Sequence, residues 1–160
     1  MLLASGFPRF HGFVYLRSYI LSTEAAYKML TGLNHLTVAV SDLTRSLDFY
    51  VNVLGFTPQA KWSKGAYLSL GELWLCLSLD KVDIKRDYTH YAFTLSEHYL
   101  AYFREKLRAA DVIEWKENKS EGASIYFLDP DGHRLEVHSG SLQTRLQACK
   151  EKPYEGMIFF

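Results

Sequence analysis

Cysteine is scarce in this chain of 160 residues. The two that occur, Cys76 and Cys149, form no CxxC pair and no disulfide framework. A thiol-stapled secreted scaffold is therefore excluded, and a reducing compartment, the cytoplasm, is the expected setting. An excess of either charge is also lacking. Lys plus Arg (18) equal Asp plus Glu (18), so no basic field draws the chain to nucleic acid or to an anionic membrane. No apolar run approaches the length of a membrane span. A secretory signal is not expected either. Residues 1–28 are apolar and aromatic, but Pro8, Arg9, His11, Arg17 and Ser18 interrupt them, and no small-residue cleavage site follows. This stretch is expected to be an appendage outside the main fold, with residues 15–28 as one helix; a docking helix is the rival reading. What the chain does have is core. Hydrophobic residues make up 48% and aromatics 15%, enough for one domain, or for one domain built of two small halves.

From residue 29 onward the pattern is orderly. Residues 33–40 alternate, with His35, Thr37 and Ala39 on one face of a strand. Ser41 or Asp42 can cap the helix that follows, whose apolar stripe is Leu43, Leu47, Tyr50, Val51 and Leu54. Gly55 suits the left-handed position past its end. Three strands are predicted at 58–62, 66–70 and 73–79. Residues 80–87 form a polar linker, and then the plan repeats. A strand over 89–95 carries His90, Ala92 and Thr94 on one face. Ser96 can cap a helix with the stripe Leu100, Phe103, Leu107 and Ala110. Strands follow at 112–116, 124–128 and 133–137, and a short helix at 143–150 is ended by Pro153. The turn Asp129-Pro130-Asp131-Gly132 joins the last two strands: Pro presets φ, and Gly permits φ > 0. The predicted fold class is α+β. Two β-α-β-β-β repeats (33–79 and 88–138) form a cupped mixed sheet, and residues 139–160 close the domain of 29–160.

Each repeat has one helix to cover one sheet face, which leaves the other faces to line a cup. Strand parity sends His35, Thr37, His90 and Glu136 into that cup, together with Trp74, Cys76, Ser78, Ser124 and Tyr126. A lone histidine or a single mid-strand glutamate is ordinarily a satisfied core group or a solvated face. Asn34-His35 and Thr89-His90, however, hold the same place in two repeats, 55 residues apart. Two imidazoles and a carboxylate on rigid strands make a facial set of metal ligands, with positions left open for substrate.

At these residues the chain resembles the FosA-type fosfomycin-resistance glutathione transferases, of the vicinal-oxygen-chelate superfamily that also holds glyoxalase I. The resemblance runs from residue 29 to about 159. It is carried by Gly32-Leu33-Asn34-His35-Leu36-Thr37, Leu73-Trp74-Leu75-Cys76-Leu77-Ser78, Asp87-Tyr88-Thr89-His90-Tyr91-Ala92-Phe93, and Trp115-Lys116 with residues 118–124. Residues 126–136, Arg145 and Pro153-Tyr154 complete it. The turn sequence Asp-Pro-Asp-Gly-His is common to the superfamily, whereas Trp115-Lys116 followed by 118–124 is far more specific. The resemblance implies Mn²⁺ held by His35, His90 and Glu136. It also implies a homodimer with shared active sites, in which His35 meets the other two ligands across the subunit boundary. Thr37 and Tyr67 would act in catalysis. Trp74, Tyr88, Lys116, Ser120, Tyr126, Arg145 and Tyr154 would surround the phosphonate antibiotic. Trp62, Ser78 and Lys119 would lie toward glutathione, and Asn118, Ser120, Gly122 and Ser124 would hold an activating K⁺. The linker 80–87 is shorter than in some relatives, and residues 1–28 are foreign to the family pattern.

Within the same fold, three alternatives are a glyoxalase-like enzyme, a ring-cleaving dioxygenase and a metal-free antibiotic-sequestering binder. The first generally takes a fourth protein ligand from the strand at 73–79, which here offers Trp74, Cys76 and Ser78 and no carboxylate on the cup face. The second needs an aromatic diol pocket, whereas Lys116 and Arg145 suit an anion. The third needs no metal ligands.

Overall fold

The computed structural model describes residues 32–84, 87–119 and 121–159. The expectations for residues 1–28 and for Ser120 fall outside these described residues. Residues 34–160 make one compact unit. In it, β1 (His35–Val40), α1 (Leu43–Asp48), β2 (Thr57–Trp62), β3 (Gly65–Leu70) and β4 (Leu73–Leu79) form the first repeat. The second contains β5 (Tyr91–Thr94), α2 (Leu100–Ala109), β6 (Glu114–Lys116), β7 (Ser124–Leu128) and β8 (Arg134–His138). A last helix, α3 (Leu142–Glu151), follows.

Each repeat folds into its own four-stranded mixed sheet, ordered β1-β4-β3-β2 and β5-β8-β7-β6. In both, the first strand pairs in parallel with the last, and the others pair antiparallel. A parallel pair needs a crossover connection, and the helix of each repeat lies on it.

Local chemistry sets the element ends. Of the two residues able to cap α1 it is Asp42 that does so, its carboxylate accepting from the Thr44 and Arg45 amides. Gly55 sits at φ 84, as a helix terminator requires. Between them the helix widens into a π turn, Phe49–Val53, in which the Leu54 amide reaches back five residues to the Phe49 carbonyl. In the second repeat the helix opens with a 3-10 turn, Glu97–Tyr99. Ser96 stands at its start but makes no side-chain cap bond. The strand carrying His90 is shorter than predicted: it begins at Tyr91, so His90 precedes it. Ser141 caps α3 through a reciprocal pair with Thr144.

The core lies between helices and sheets. Val40, Leu68, Leu77, Leu107 and Phe127 are fully buried in it, alongside Leu75, Ile125 and Leu135. Each such side chain contributes roughly 1.5–3 kcal/mol relative to exposure. Phe56 and Phe93, one from each repeat, meet edge to face with centroids 5.7 Å apart.

The turn at 129–132 is more than a turn. It clasps the first repeat. Asp129 closes the turn on itself, its carboxylate accepting from the Asp131 amide (3.0 Å) and the His133 amide (2.8 Å). Its other oxygen accepts from the buried Tyr50 hydroxyl at 3.0 Å. Asp131 takes the Ser41 amide (3.1 Å), the Ser41 hydroxyl, the Ser46 hydroxyl and the Arg45 guanidinium (3.0 Å). The His133 ring donates through Nε2 to the Ala39 carbonyl at 2.8 Å. Gly132, at φ 91, supplies the left-handed residue this turn needs.

Candidate metal and anion site

Register fixes what faces the open side of each sheet. On the second sheet, Glu136 lies opposite both Ala92 and Tyr126, His138 lies opposite Ser124 and Thr94, and Lys116 lies opposite Tyr126. Leu135 and Val137 alternate with them and fill the core. Glu136 is thus a buried carboxylate, 6% exposed. The His90 ring reaches it, Nε2 to Oε2, at 3.0 Å. The other ring nitrogen of His90 donates to the Tyr88 carbonyl at 2.9 Å, which leaves Nε2 bare in the neutral ring. An imidazole lone pair beside a buried carboxylate oxygen is a donor set that suits a divalent cation with mixed nitrogen and oxygen preference.

His35 is on the other sheet. Its ring stacks on Trp74 with centroids 4.5 Å apart, and its Nδ1 meets Asn34 Oδ1 at 2.8 Å. Among the described residues, no three His, Cys, Asp or Glu of one chain stand close enough to hold a metal ion. The structure therefore brings together two of the three residues singled out, His90 and Glu136, and keeps His35 apart on the first sheet.

Around the His90–Glu136 pair stands a cationic, hydroxyl-rich wall. Lys116 donates to the Tyr88 hydroxyl and lies 4.5 Å from the ring centroids of both Tyr88 and Tyr126. The Tyr88 hydroxyl beside it holds the lysine above its ordinary pKa, so the ammonium stays charged at neutral pH. Trp115 closes the cluster, 5.5 Å from Tyr126 and 6.3 Å from His90 between ring centroids. Arg145, on α3, stands with Nε 3.5 Å from Oε2 of Glu121. The Lys116 cation, with hydroxyl donors between aromatic rings, makes a receptor for a compact oxyanion.

Among the described residues of the 118–124 loop, one side-chain bond stays inside the loop and another reaches β8. Asn118 donates its amide to the Gly122 carbonyl at 2.7 Å, and the Ser124 hydroxyl meets His138 Nδ1 at 2.8 Å. Lys119 is exposed. Thr37 and Ser78 lie on the open face of the first sheet with Trp74, where Trp62, Tyr67 and Trp74 form a ladder of ring contacts at 4.7 and 5.2 Å. That face is not assembled with the Glu136 face within one chain. Tyr154 is an exposed tail residue, 61% accessible. Residues that the sequence reading did not single out also belong here: His138, on the same strand face as Glu136, and Glu121, the partner of Arg145. Strand alternation already placed His138 on that face; its neighbours could not be read from spacing.

Tandem β-α-β-β-β repeats with an imidazole and a carboxylate paired on an open sheet face define a vicinal-oxygen-chelate protein. The family model described as Glyoxalase/Bleomycin resistance protein/Dioxygenase superfamily matches residues 32–137. Glutathione transferase FosA of Serratia marcescens is 56% identical over 136 residues, covering 82% of this chain and 96% of the relative. Metallothiol transferase FosB of Shouchella clausii is 41% identical over 138 residues, covering 81% and 94%. Among solved structures, the fosfomycin resistance protein FosX of Listeria monocytogenes, complexed with Mn(II) and sulfate ion, superposes with a TM-score of 0.68. That match is 32% identical and covers 75% of this chain and 98% of the other. The chain belongs to the Glyoxalase/Bleomycin resistance protein/Dioxygenase superfamily and, within it, to the FosA family of fosfomycin-resistance proteins.

Proposed function

We propose that this protein is a metal-dependent glutathione transferase that opens the oxirane ring of fosfomycin. The observation that carries the reading is the pairing of half-buried His90 with buried Glu136 beside Lys116, Tyr88 and Tyr126, in a chain 56% identical to a glutathione transferase FosA. In the reaction the glutathione thiol gives its proton to water and the thiolate sulfur attacks an oxirane carbon. A C–S bond forms, the C–O bond breaks, and the freed oxygen takes a proton back from water. His90 and Glu136, with His35 of a second copy, would hold Mn²⁺, which supplies Lewis acidity to the oxirane oxygen when bound. Lys116, Arg145, Tyr88 and Tyr126 hold the phosphonate, with Ser120 and Tyr154 as further donors. Fixing the anion fixes the carbon to be attacked, and such positioning can lower a barrier by several kcal/mol, up to about 7–11.

The first sheet supplies the thiol side. Trp62, Ser78 and Lys119 are proposed to contact glutathione, Tyr67 to orient its thiol, and Trp74 and Thr37 to meet the substrate. The proposed working unit is a homodimer with shared sites, a reading supported by the separation of His35 from His90 and Glu136 within one chain. Asn118, Ser120, Gly122 and Ser124 are the proposed K⁺ loop. A cytoplasmic setting is part of the proposal and fits the two free thiols, Cys76 and Cys149. Among the described residues no helix is long and apolar enough to cross a membrane.

The test is to incubate the protein with fosfomycin, glutathione and Mn²⁺, with and without K⁺, and to identify products by mass spectrometry. The glutathione adduct is expected, formed faster with K⁺. A diol, or an adduct only with another thiol, would overturn the cosubstrate.

A further inference from the structure

Strand β8 puts two inward side chains in sequence, Glu136 and His138, and the second has no part in the reading above. Its surroundings are unusual. The His138 ring lies between two glycines that leave no room for anything larger. A Cβ on Gly122 would stand 2.5 Å from Cε1 of the ring, and one on Gly140 would collide with Nε2. Gly122 is further held at φ 75, and its carbonyl is tied down by Asn118. The loop is pinned to the strand end beside this ring. The Ser139 amide donates to the Ala123 carbonyl at 3.0 Å, and the Ala123 amide to the Ser139 hydroxyl at 3.1 Å. The ring itself meets the Ser124 hydroxyl at 2.8 Å through Nδ1, and the same nitrogen stands 3.9 Å from Glu136 Oε1.

We infer that His138 is a positioning residue for the cation loop: it orients the Ser124 hydroxyl and sets the shape of the backbone at Gly122. The inference rests on reading that loop as a monovalent-cation site. A hydroxyl that offers its lone pairs to a cation must turn its O–H bond away, toward an acceptor. Ser124 is 7% exposed, which favours a protein group as that acceptor. Nδ1 of His138 is in place to be it. The neutral ring then carries its proton on Nε2, and the Ser124 oxygen keeps both lone pairs for the loop. The same imidazole lies against Glu136, so one side chain joins the loop to the carboxylate paired with His90.

The test uses the full chain loaded with Mn²⁺ and measures fosfomycin affinity by calorimetry across a K⁺ series, with circular dichroism as the check on folding. His138→Phe keeps a ring and removes the acceptor. His138→Asn replaces the ring but retains an acceptor oxygen near the Nδ1 position. Ser124→Ala removes the hydroxyl. The K⁺ concentration for half-maximal effect should rise about tenfold or more in His138→Phe and in Ser124→Ala. It should stay within about threefold of wild type in His138→Asn, and the Phe and Ala changes together should be no worse than either alone. A folded His138→Phe protein with the wild-type K⁺ dependence overturns the inference. Should that variant fail to fold, Ser124→Ala decides alone: an unchanged K⁺ dependence overturns the inference. A wild type indifferent to K⁺ overturns the cation-loop reading, and the inference with it.

Discussion

Tyr50 joins the two repeats through one buried bond, and the consequence of removing its hydroxyl can be worked out in advance. The phenol donates to Asp129 Oδ2 at 3.0 Å, with Tyr50 1% and Asp129 5% exposed. Burial raises the Asp129 pKa above 3.8, against the opposing effects of nearby His133 and of the bonds from the His133 amide, Tyr50 and the Asp131 amide. A carboxyl whose folded pKa is raised binds more protons folded than unfolded across that window. Its contribution to stability therefore falls as pH rises from 3.8 through the folded pKa, and is constant above it. The Tyr50 hydroxyl offsets that cost because it favours the charged form. Its own titration lies well above the ordinary tyrosine range, chiefly through burial, so it remains a donor throughout. Tyr50→Phe should thus cost about 1.5–3 kcal/mol near pH 7, where the acceptor is charged, and about 0.5–1.5 kcal/mol below the window, where it is neutral. At about 2–4 °C per kcal/mol, the neutral-pH loss corresponds to a Tm drop of roughly 4–8 °C for a loss of about 2 kcal/mol. The assay is urea and thermal unfolding of metal-free protein at one fixed concentration, at about pH 7 and about pH 3, with wild type as the reference at each pH. A loss below about 0.5 kcal/mol near pH 7, or an equal loss at both pH values, would refute the reasoning.

Three further outcomes are expected. Glu136→Gln should weaken Mn²⁺ binding by at least about 100-fold, measured as free Mn²⁺ by electron paramagnetic resonance, with the circular dichroism spectrum retained; an unchanged affinity would remove Glu136 from the ligand set. Mixing inactive His35→Ala with inactive Glu136→Ala chains should recover about a quarter of the wild-type rate once subunits exchange, because one site of each hybrid escapes both defects. No recovery after proven exchange would place each site within one chain. A protein beginning at Met29 should keep its Mn²⁺ affinity and rate, since the family match starts at residue 32; a large loss would assign residues 1–28 a docking role.

Much of this was legible in the sequence because alternation is a strict period. One residue's slip in β8 would exchange Leu135 and Val137 for Glu136 and His138, so the buried apolar pair determines which way the polar pair points. The same logic placed Ser124 and Tyr126, whereas Lys116 was named only through the family resemblance. The clasp was not legible. The residues 129–132 announce a turn, but which first-repeat groups that turn meets depends on packing between segments some 80–90 positions apart. The π turn at Phe49–Val53 left no mark either, since a single widened turn hardly disturbs the stripe of Leu43, Leu47, Tyr50, Val51 and Leu54. Nor can parity say whether His35 meets Glu136 of its own chain or of another.

That last question connects the clasp to the open face of the first sheet. Tyr50–Asp129, Arg45–Asp131, His133–Ala39 and Phe56–Phe93 hold the two repeats of a chain together through helix, turn and strand-end groups. Held this way, the second repeat leaves the other repeat's aromatic ladder in solvent. Trp62 is 41%, Tyr67 39% and Trp74 38% exposed, and His35 and Thr37 are exposed with them. Large aromatic rings grouped on an open sheet face are a surface that proteins ordinarily cover. A chain that closed its own cup would bury these rings against the Glu136 face. Under the proposed dimer a second copy covers them, and the covering surface is the one that carries Lys116, Tyr126, His90 and Glu136. Apolar burial and completion of the ligand set are then the same event. The proposal accordingly requires that chains unable to pair lose metal affinity together with the shielding of Trp62 and Trp74, which tryptophan fluorescence during dilution would follow directly.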